Sequence, residues 1–205
     1  MEYKYGQNQN YEDFSSGRVL YHGEGMTNFP VRLAQEIYGR CLEYSPKKSH
    51  ITLYDCCCGG GYLLTVLGFL NQDSIGKIIG SDINEEILHT ARKNLSLLTL
   101  EGIDKRIKEL EEMILNFEKQ SHIDAKNSAI RLKSMIKSNI KFKKEGKKRK
   151  EEYIKIFPTD PKYQRNDTIQ IEEFMKNLRS NPNTNMDEFI EFCINISKSN
   201  NIQIN

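Results

Sequence analysis

Three consecutive glycines, Gly59, Gly60 and Gly61, set between two apolar runs, constrain this chain more than any other feature. Before them, Ile51-Thr52-Leu53-Tyr54 is β-branched, aliphatic or aromatic and follows a Pro/Lys/Ser turn, the pattern of a short buried strand. After them, Leu63, Leu64, Val66 and Leu67 cluster at helical spacing. The expected order is strand, tight loop, helix. Glycine supplies positive φ and leaves no Cβ between backbone and ligand. The free N–H groups at a helix start favour a phosphate or carboxylate. The stretch reads as a cradle for a nucleotide or a carboxylate; the bland alternative is a strand-loop-helix with a decorative glycine turn.

A second apolar strand, expected over Lys77-Ile78-Ile79-Gly80-Ser81-Asp82-Ile83-Asn84, ends in an acid 21 positions after Gly61. An acid so placed can hydrogen-bond a ribose diol. Dinucleotide enzymes carry G-x-G-x-x-G, whose third glycine sets close helix–strand packing, and Leu64 stands at that place here. A nicotinamide enzyme is therefore the weaker reading. The acid at the first strand end, D-x-x-x-G-x-G over Asp55 to Gly61, resembles motif I of class I S-adenosylmethionine (SAM) methyltransferases. That resemblance implies a cofactor site of Asp55, Cys57, Gly59, Gly60, Gly61, Asp82 and Ile83, in which the glycines cradle the methionine end of SAM, Asp55 orders the loop by accepting backbone N–H bonds, Asp82 holds the ribose, and Ile83 packs on adenine.

Composition fits such a domain. The chain has 205 residues, enough for one ordinary core, with 38% hydrophobic and 28% charged residues. No run approaches the roughly 18 apolar residues of a membrane span, and Met1-Glu2-Tyr3-Lys4-Tyr5 is not the start of a signal peptide, so a cytoplasmic protein is expected. Of five cysteines, Cys56, Cys57 and Cys58 are adjacent, and neither repeated C-x-x-C pairs nor a redox C-x-x-C occurs. The triplet reads as small apolar residues lining the loop, with no metal.

Taken in order, residues 1–16 are polar and read as a flexible arm outside the core. Thr27 or Asn28 is expected to cap a helix with Pro30 in its first turn and Val31, Ala34, Ile37, Tyr38, Cys41 and Leu42 on one face. Two segments, Gly17-Arg18-Val19-Leu20-Tyr21-His22 and Phe29-Pro30-Val31-Arg32-Leu33-Ala34-Gln35-Glu36-Ile37, join the Cys-Cys-x-Gly-x-Gly-Tyr-Leu-Leu-Thr-Val-Leu-Gly run. Together they resemble the avilamycin-resistance (AviRa) family of 23S rRNA guanine methyltransferases over roughly residues 17–100. The resemblance implies a Rossmann-like α/β fold, SAM as cofactor and 23S rRNA as partner. Arg32 then suits an RNA phosphate or the donor carboxylate, against an ordinary surface ion pair. His22 reads as a hydrogen-bonded loop residue.

Beyond Asn84, Glu85 and Glu86 open a helix with Ile87, Leu88, Ala91, Leu95 and Leu98 on one face, and Gly102 is expected to break it. Helical tracts over about 105–120 and 125–142 exceed an ordinary strand connection, so 102–150 is read as a helical, basic insertion, with a solvated helix pair as the alternative. From Arg131 to Lys155 eleven cationic residues face three anionic ones, a net of +8 in a chain of net +2. Lys143, Lys144, Lys147, Lys148, Arg149 and Lys150 form its centre and suit phosphate, although charge runs are often solvated loops.

Tyr153 to Phe157 reads as a third strand, whose end carries Pro158-Thr159-Asp160-Pro161; the competing reading is a worn Asp-Pro-Pro-Tyr motif. Four or five strand candidates fall short of the seven a class I sheet holds, and the C-terminal third does not match the family pattern. The expectation is one domain over 1–205, an incomplete Rossmann-like sheet with a helical insertion. Its function would be SAM-dependent methylation of a 23S rRNA guanine, with an inactive RNA-binding remnant as alternative and a small-molecule or protein methyltransferase as a third reading. No general base can be named, and the sequence leaves the oligomeric state open.

Overall fold

The computed structural model describes residues 3–23, 26, 29–138 and 154–158. Among them three parallel strands form one sheet in the order β1-β2-β3: β1 Ile51–Asp55, β2 Ile75–Asp82 and β3 Ile154–Pro158. Helix α1 (Val31–Tyr44) precedes β1, and α2 (Tyr62–Leu70) connects β1 to β2. Helices α3 (Glu85–Ser96), α4 (Leu100–Phe117) and α5 (Gln120–Ser138) connect β2 to β3. This is the α/β, Rossmann-like arrangement expected, in partial form. Register pairs Asp55 with Gly80 and Asp82 with Pro158, so β2 runs two residues past the end of β1. The third strand lies beside β2, as its reading as a strand end requires; the residues after Pro158 lie outside the described ones.

Helix α2 explains why its sequence is apolar on every side. Leu64 and Leu67 pack with Ala34, Tyr38, Ile78, Leu88, Ala91 and Leu95. Val66 and Phe69 pack with Phe14, Val19, Leu20, Leu97 and Ile103. A helix buried between two clusters has no solvent face to make polar. Gly80 supplies the clearance that Leu64 needs: a Cβ there would lie 3.0 Å from Leu64 Cδ1. In the dinucleotide fingerprint the small residue sits on the helix; here the strand carries it and the helix carries the leucine.

Three expectations need correcting. The leading segment joins the core rather than hanging from it, since Phe14 is 4% exposed and packs on Phe69 with ring centroids 5.9 Å apart. Gly102 does not end a helix. Thr99 caps α4 by accepting from the Gly102 N–H at 3.1 Å, and a Cβ on Gly102 would meet Ser96 O at 2.1 Å, so the glycine permits the close corner between α3 and α4. Helix α1 starts at Val31 with Pro30 at its N-cap and no side-chain cap; Thr27 and Asn28 lie outside the described residues.

The helical insertion is a structural part of the fold. Ile103 and Leu110 of α4 and Ala125, Ala129, Leu132 and Ile136 of α5 complete the first cluster. Lys126 Nζ meets Glu111 at 2.8 Å, and Lys133 pairs with Asp104, tying the two helices. Arg131 pairs with Asp13. Two cations of the basic stretch are thus engaged within the protein, while residues 139–153, including Lys143 to Lys150, lie outside the described ones.

One buried carboxylate fastens the leading segment to α1. Glu36, fully shielded from solvent, accepts from the Tyr5 N–H at 2.6 Å, the Gly6 N–H at 2.9 Å and Arg40 Nε at 2.7 Å. Burial pushes this carboxyl up, but the N–H groups of Gly6, Tyr5 and Lys4 together with Arg40 outweigh it and bring it down to about 2 from 4.5. A depressed folded-state value means that the carboxylate's contribution is full above pH 4.5 and is lost as pH falls toward 2. Glu36→Gln is therefore expected to lower the thermal midpoint at pH 7 by several degrees and to flatten the acid limb of the midpoint-against-pH curve. Equal midpoints for the two proteins at pH 7 would remove Glu36 as an anchor.

Candidate functional site

The glycine loop lies at the C-terminal ends of β1 and β2. Gly59 and Gly61 have φ of 51° and 71°, in the left-handed region. A Cβ on Gly61 would also approach Ala91 Cα to 3.0 Å, so α3 leaves no room for a side chain there. Two acids hold the loop. Asp55 Oδ1 accepts from the Cys57 N–H at 3.0 Å. Asp82 Oδ2 accepts from the Gly59 N–H at 2.8 Å, and its Oδ1 accepts from the Asn84 N–H at 3.0 Å. The two-residue overhang of β2 brings Asp82 across to the loop. Asn84 in turn caps α3, accepting from the N–H groups of Glu86 and Ile87.

A cleft of about 270 Å³ opens beside this loop. Asp55, Cys57, Cys58, Gly59 and Gly60 of the loop line it. Tyr21, Met26, Phe29 and Tyr62 add aromatic and thioether surface, and Asn94 lines it as well. Gly61, Asp82 and Ile83 do not line it. Gly61 turns into α2, and Asp82 reaches the loop from behind through Gly59. Ile83 is 53% exposed, an apolar side chain left bare directly after the strand end.

The residue that ties Tyr21 to the glycine loop is Asn94, which the sequence marks only as part of a Lys93-Asn94-Leu95 helix end of the kind that often follows motif II, with no role in the site. Asn94 is 1% exposed, and its carboxamide makes three hydrogen bonds. Oδ1 accepts from the Tyr21 N–H at 2.7 Å; Nδ2 donates to Tyr21 O at 3.0 Å and to Gly60 O at 2.8 Å. The amide thus pairs with the backbone of residue 21 as a strand neighbour would, and holds the glycine loop with its remaining N–H. The signal for that role is position, a polar residue three places after Ala91 on the buried side of α3.

Arg106 is the other omission. Its Nε donates to Val19 O at 2.9 Å and Nη2 to Arg18 O at 3.3 Å, while the guanidinium lies 4.5 Å from the Tyr21 ring centroid. Tyr21 Oη donates to Glu109 at 2.8 Å. Helix α4 therefore fixes the cleft wall that Tyr21 supplies. Arg32 sits apart: its Nε donates to Gly6 O at 3.0 Å and its guanidinium lies 4.1 Å from the Tyr3 ring centroid. His22 is exposed.

The electrostatics favour a cationic ligand. Burial pushes the Asp55 carboxyl up; the Cys57 N–H pulls it down, and the charge of Asp82 adds to the rise. A half-buried acid with a second acid nearby is relieved by a cation that enters. The lining suits SAM, whose sulfur is positively charged, on two counts: a loop with no side chains in the way, and an acid whose charge is met only by the Cys57 N–H. Among the described residues no group of three or more His, Cys, Asp or Glu is arranged for a metal, and no helix is long and apolar enough to cross a membrane.

Comparison with known proteins agrees with this geometry. The family model described as rRNA methyltransferase AviRa matches residues 1–173, farther in both directions than the motifs at 17–100 and into the C-terminal third expected not to match. The 23S rRNA (guanine(2535)-N(1))-methyltransferase of Streptomyces viridochromogenes is 43% identical over 124 residues, 60% of this chain and 50% of that protein. Two solved structures of the rRNA methyltransferase aviRa from the same organism align with TM-scores of 0.69 and 0.70 at 35% identity, covering 78% of this chain and 61% of theirs. The chain spans about half the length of the curated relative it matches.

Because folded Asp55 titrates above its ordinary value, its native-state charge costs stability that grows as pH rises through that raised pKa. Asp55→Asn keeps an acceptor for the Cys57 N–H and removes the charge. Its thermal midpoint is expected to equal or exceed that of the parent at pH 7, with the difference shrinking as pH falls toward 4. A lower midpoint for the variant at pH 7 would mean that the ionised acid stabilises the loop.

Proposed function

The chain belongs to the AviRa family of rRNA methyltransferases, and from that membership we propose that it binds SAM in the cleft beside Gly59–Gly61 and methylates a guanine base of 23S rRNA. The observation that carries the proposal is the loop held by two acids, with Asp82 Oδ2 on the Gly59 N–H and Asp55 Oδ1 on the Cys57 N–H. SAM supplies an electrophilic methyl group on a positively charged sulfur. Asp55 faces the cleft and is assigned to the donor's positive charge. Asp82 and Ile83 stand outside the cleft lining, at the end of β2, and are assigned to the part of the donor that would extend past it: the Asp82 lone pairs not used by Gly59 and Asn84 to the ribose hydroxyls, and Ile83 to the adenine face. Gly59, Gly60 and Gly61 admit the methionine end, and Cys57 borders it.

Catalysis in this reading rests on holding the guanine nitrogen in line with the methyl group, so proximity supplies most of the rate. The walls given by Tyr21, Phe29 and Tyr62 exclude water from that line. RNA affinity is assigned to Lys143, Lys144, Lys147, Lys148, Arg149 and Lys150, whose phosphate contacts would release counterions. Arg32, whose Nε is already used by Gly6, is assigned to an RNA phosphate through its remaining N–H groups. The alternative of an inactive remnant draws no support from the relatives, which are named as methyltransferases.

Calorimetry with SAM tests the donor assignment. Asp82→Ala is expected to weaken binding at least about tenfold, equal to about 1.4 kcal/mol; unchanged affinity would remove the ribose role. Deleting residues 141–150 is expected to leave SAM affinity intact while lowering both RNA affinity and its dependence on salt. An unchanged salt slope would place RNA binding elsewhere.

A further inference from the structure

Cys56 and Cys57 follow β1 directly, in the turn at the edge of the cleft. Their sulfurs are 4.0 Å apart, and Cys57 is exposed with Cys56 partly so. Cys58 turns the other way: it is buried, and a Cβ on Gly80 would lie 3.1 Å from its Sγ. Two adjacent thiols are thus presented side by side while the third is withdrawn into the core.

A disulfide suits this pair poorly. An S–S bond of about 2.05 Å normally joins residues whose Cα atoms are at least about 4.4 Å apart, whereas adjacent Cα atoms are held at about 3.8 Å. One atom bonded to both sulfurs removes that strain, because the sulfurs stay apart. Thiolate chemistry is also disfavoured, since the Cys56 thiol, burial and the charges of Asp55 and Asp82 all push Cys57 up. A reaction that consumes neutral S–H groups escapes that penalty.

We propose that Cys56 and Cys57 form a bidentate binding site for monosubstituted trivalent arsenic compounds, and that its occupation closes the cleft to the methyl donor. The closure rests on the donor reading above; the capture does not. In the reaction an organoarsenic dihydroxide loses two As–O bonds and gains two As–S bonds. Both thiol protons leave with the two hydroxides as two waters, and arsenic stays trivalent, so no oxidant or reductant is required. Cys57 borders the cleft, so the bridged group stands where SAM would enter.

The test treats the full chain with phenylarsine oxide in excess β-mercaptoethanol, which displaces adducts of single thiols, and reads the intact mass. The expected product gains one phenylarsenic group less two hydrogens, and loses it to ethanedithiol. Cys41→Ser is expected to keep capture, and Cys56→Ser and Cys57→Ser to abolish it. Alkylation of the captured parent gives an independent check that needs no variant to fold: Cys56 and Cys57 should be protected and Cys58 modified after unfolding. Absence of capture, or protection of another pair, would overturn the site. Calorimetry then compares SAM binding before and after capture, with loss of at least tenfold in affinity expected. Undiminished binding would overturn the closure. A free chain that binds no SAM at all would remove the donor reading and the closure with it, while the mass result would still decide the site.

Discussion

One buried carboxamide sets the geometry on which the candidate site depends. Asn94 satisfies both backbone groups of Tyr21 and the carbonyl of Gly60, so three segments distant in sequence meet at a side chain of 1% exposure. Each bond is worth only about 1 kcal/mol net, but removing the amide would take the partner from three half-buried backbone groups at once, and an unmade bond away from water costs more than a made one gains. A leucine of similar shape would pack into α3 and leave those groups unpaired. The glycine loop has no side chains with which to hold itself, so its position is borrowed from α3 through Asn94 and from β2 through Asp82.

The same logic recurs where the chain has little apolar surface to offer. The leading segment is fixed by Glu36, and residues 18 and 19 by Arg106, each a charged group that bonds two backbone groups of the segment and one oppositely charged side chain of its own helix. Both charges are almost free of solvent and are tolerable only because their hydrogen-bonding capacity is taken up. Helices α4 and α5 then seal the cluster around Val66 and Phe69. Length alone made this pair look like an addition to the fold, yet it supplies one side of the core.

How much of this was legible in the sequence follows from the range of each interaction. Strand β1, the glycine loop, α2, β2 with its terminal acid and α3 announce themselves by local periodicity and by residue types with fixed conformational preferences. The acidic first turn of α3 at Glu85 and Glu86 and the burial of Leu88, Ala91 and Leu95 belong to the same class. Gly102 misled because glycine near a helix boundary is equally compatible with stopping one helix and with turning tightly into the next; the Ser96 carbonyl decides, and it lies in another element. Phe14 sits alone in a polar stretch with no periodicity around it, and Asn94 and Arg106 act on partners 34 to 88 positions away. No pattern within a helix reveals such partners.

Asp82 belongs to the scaffold in its own right. Its two oxygens accept from the Gly59 and Asn84 N–H groups, so the acid is part of the frame of the loop. A residue that only touched a ligand could drift when the ligand changed, with the scaffold intact. On the proposed reading the ribose would share these two oxygens, and a change of ligand preference here would pass through the support of the loop. A lineage that exchanged its cofactor would then first need another brace for Gly59.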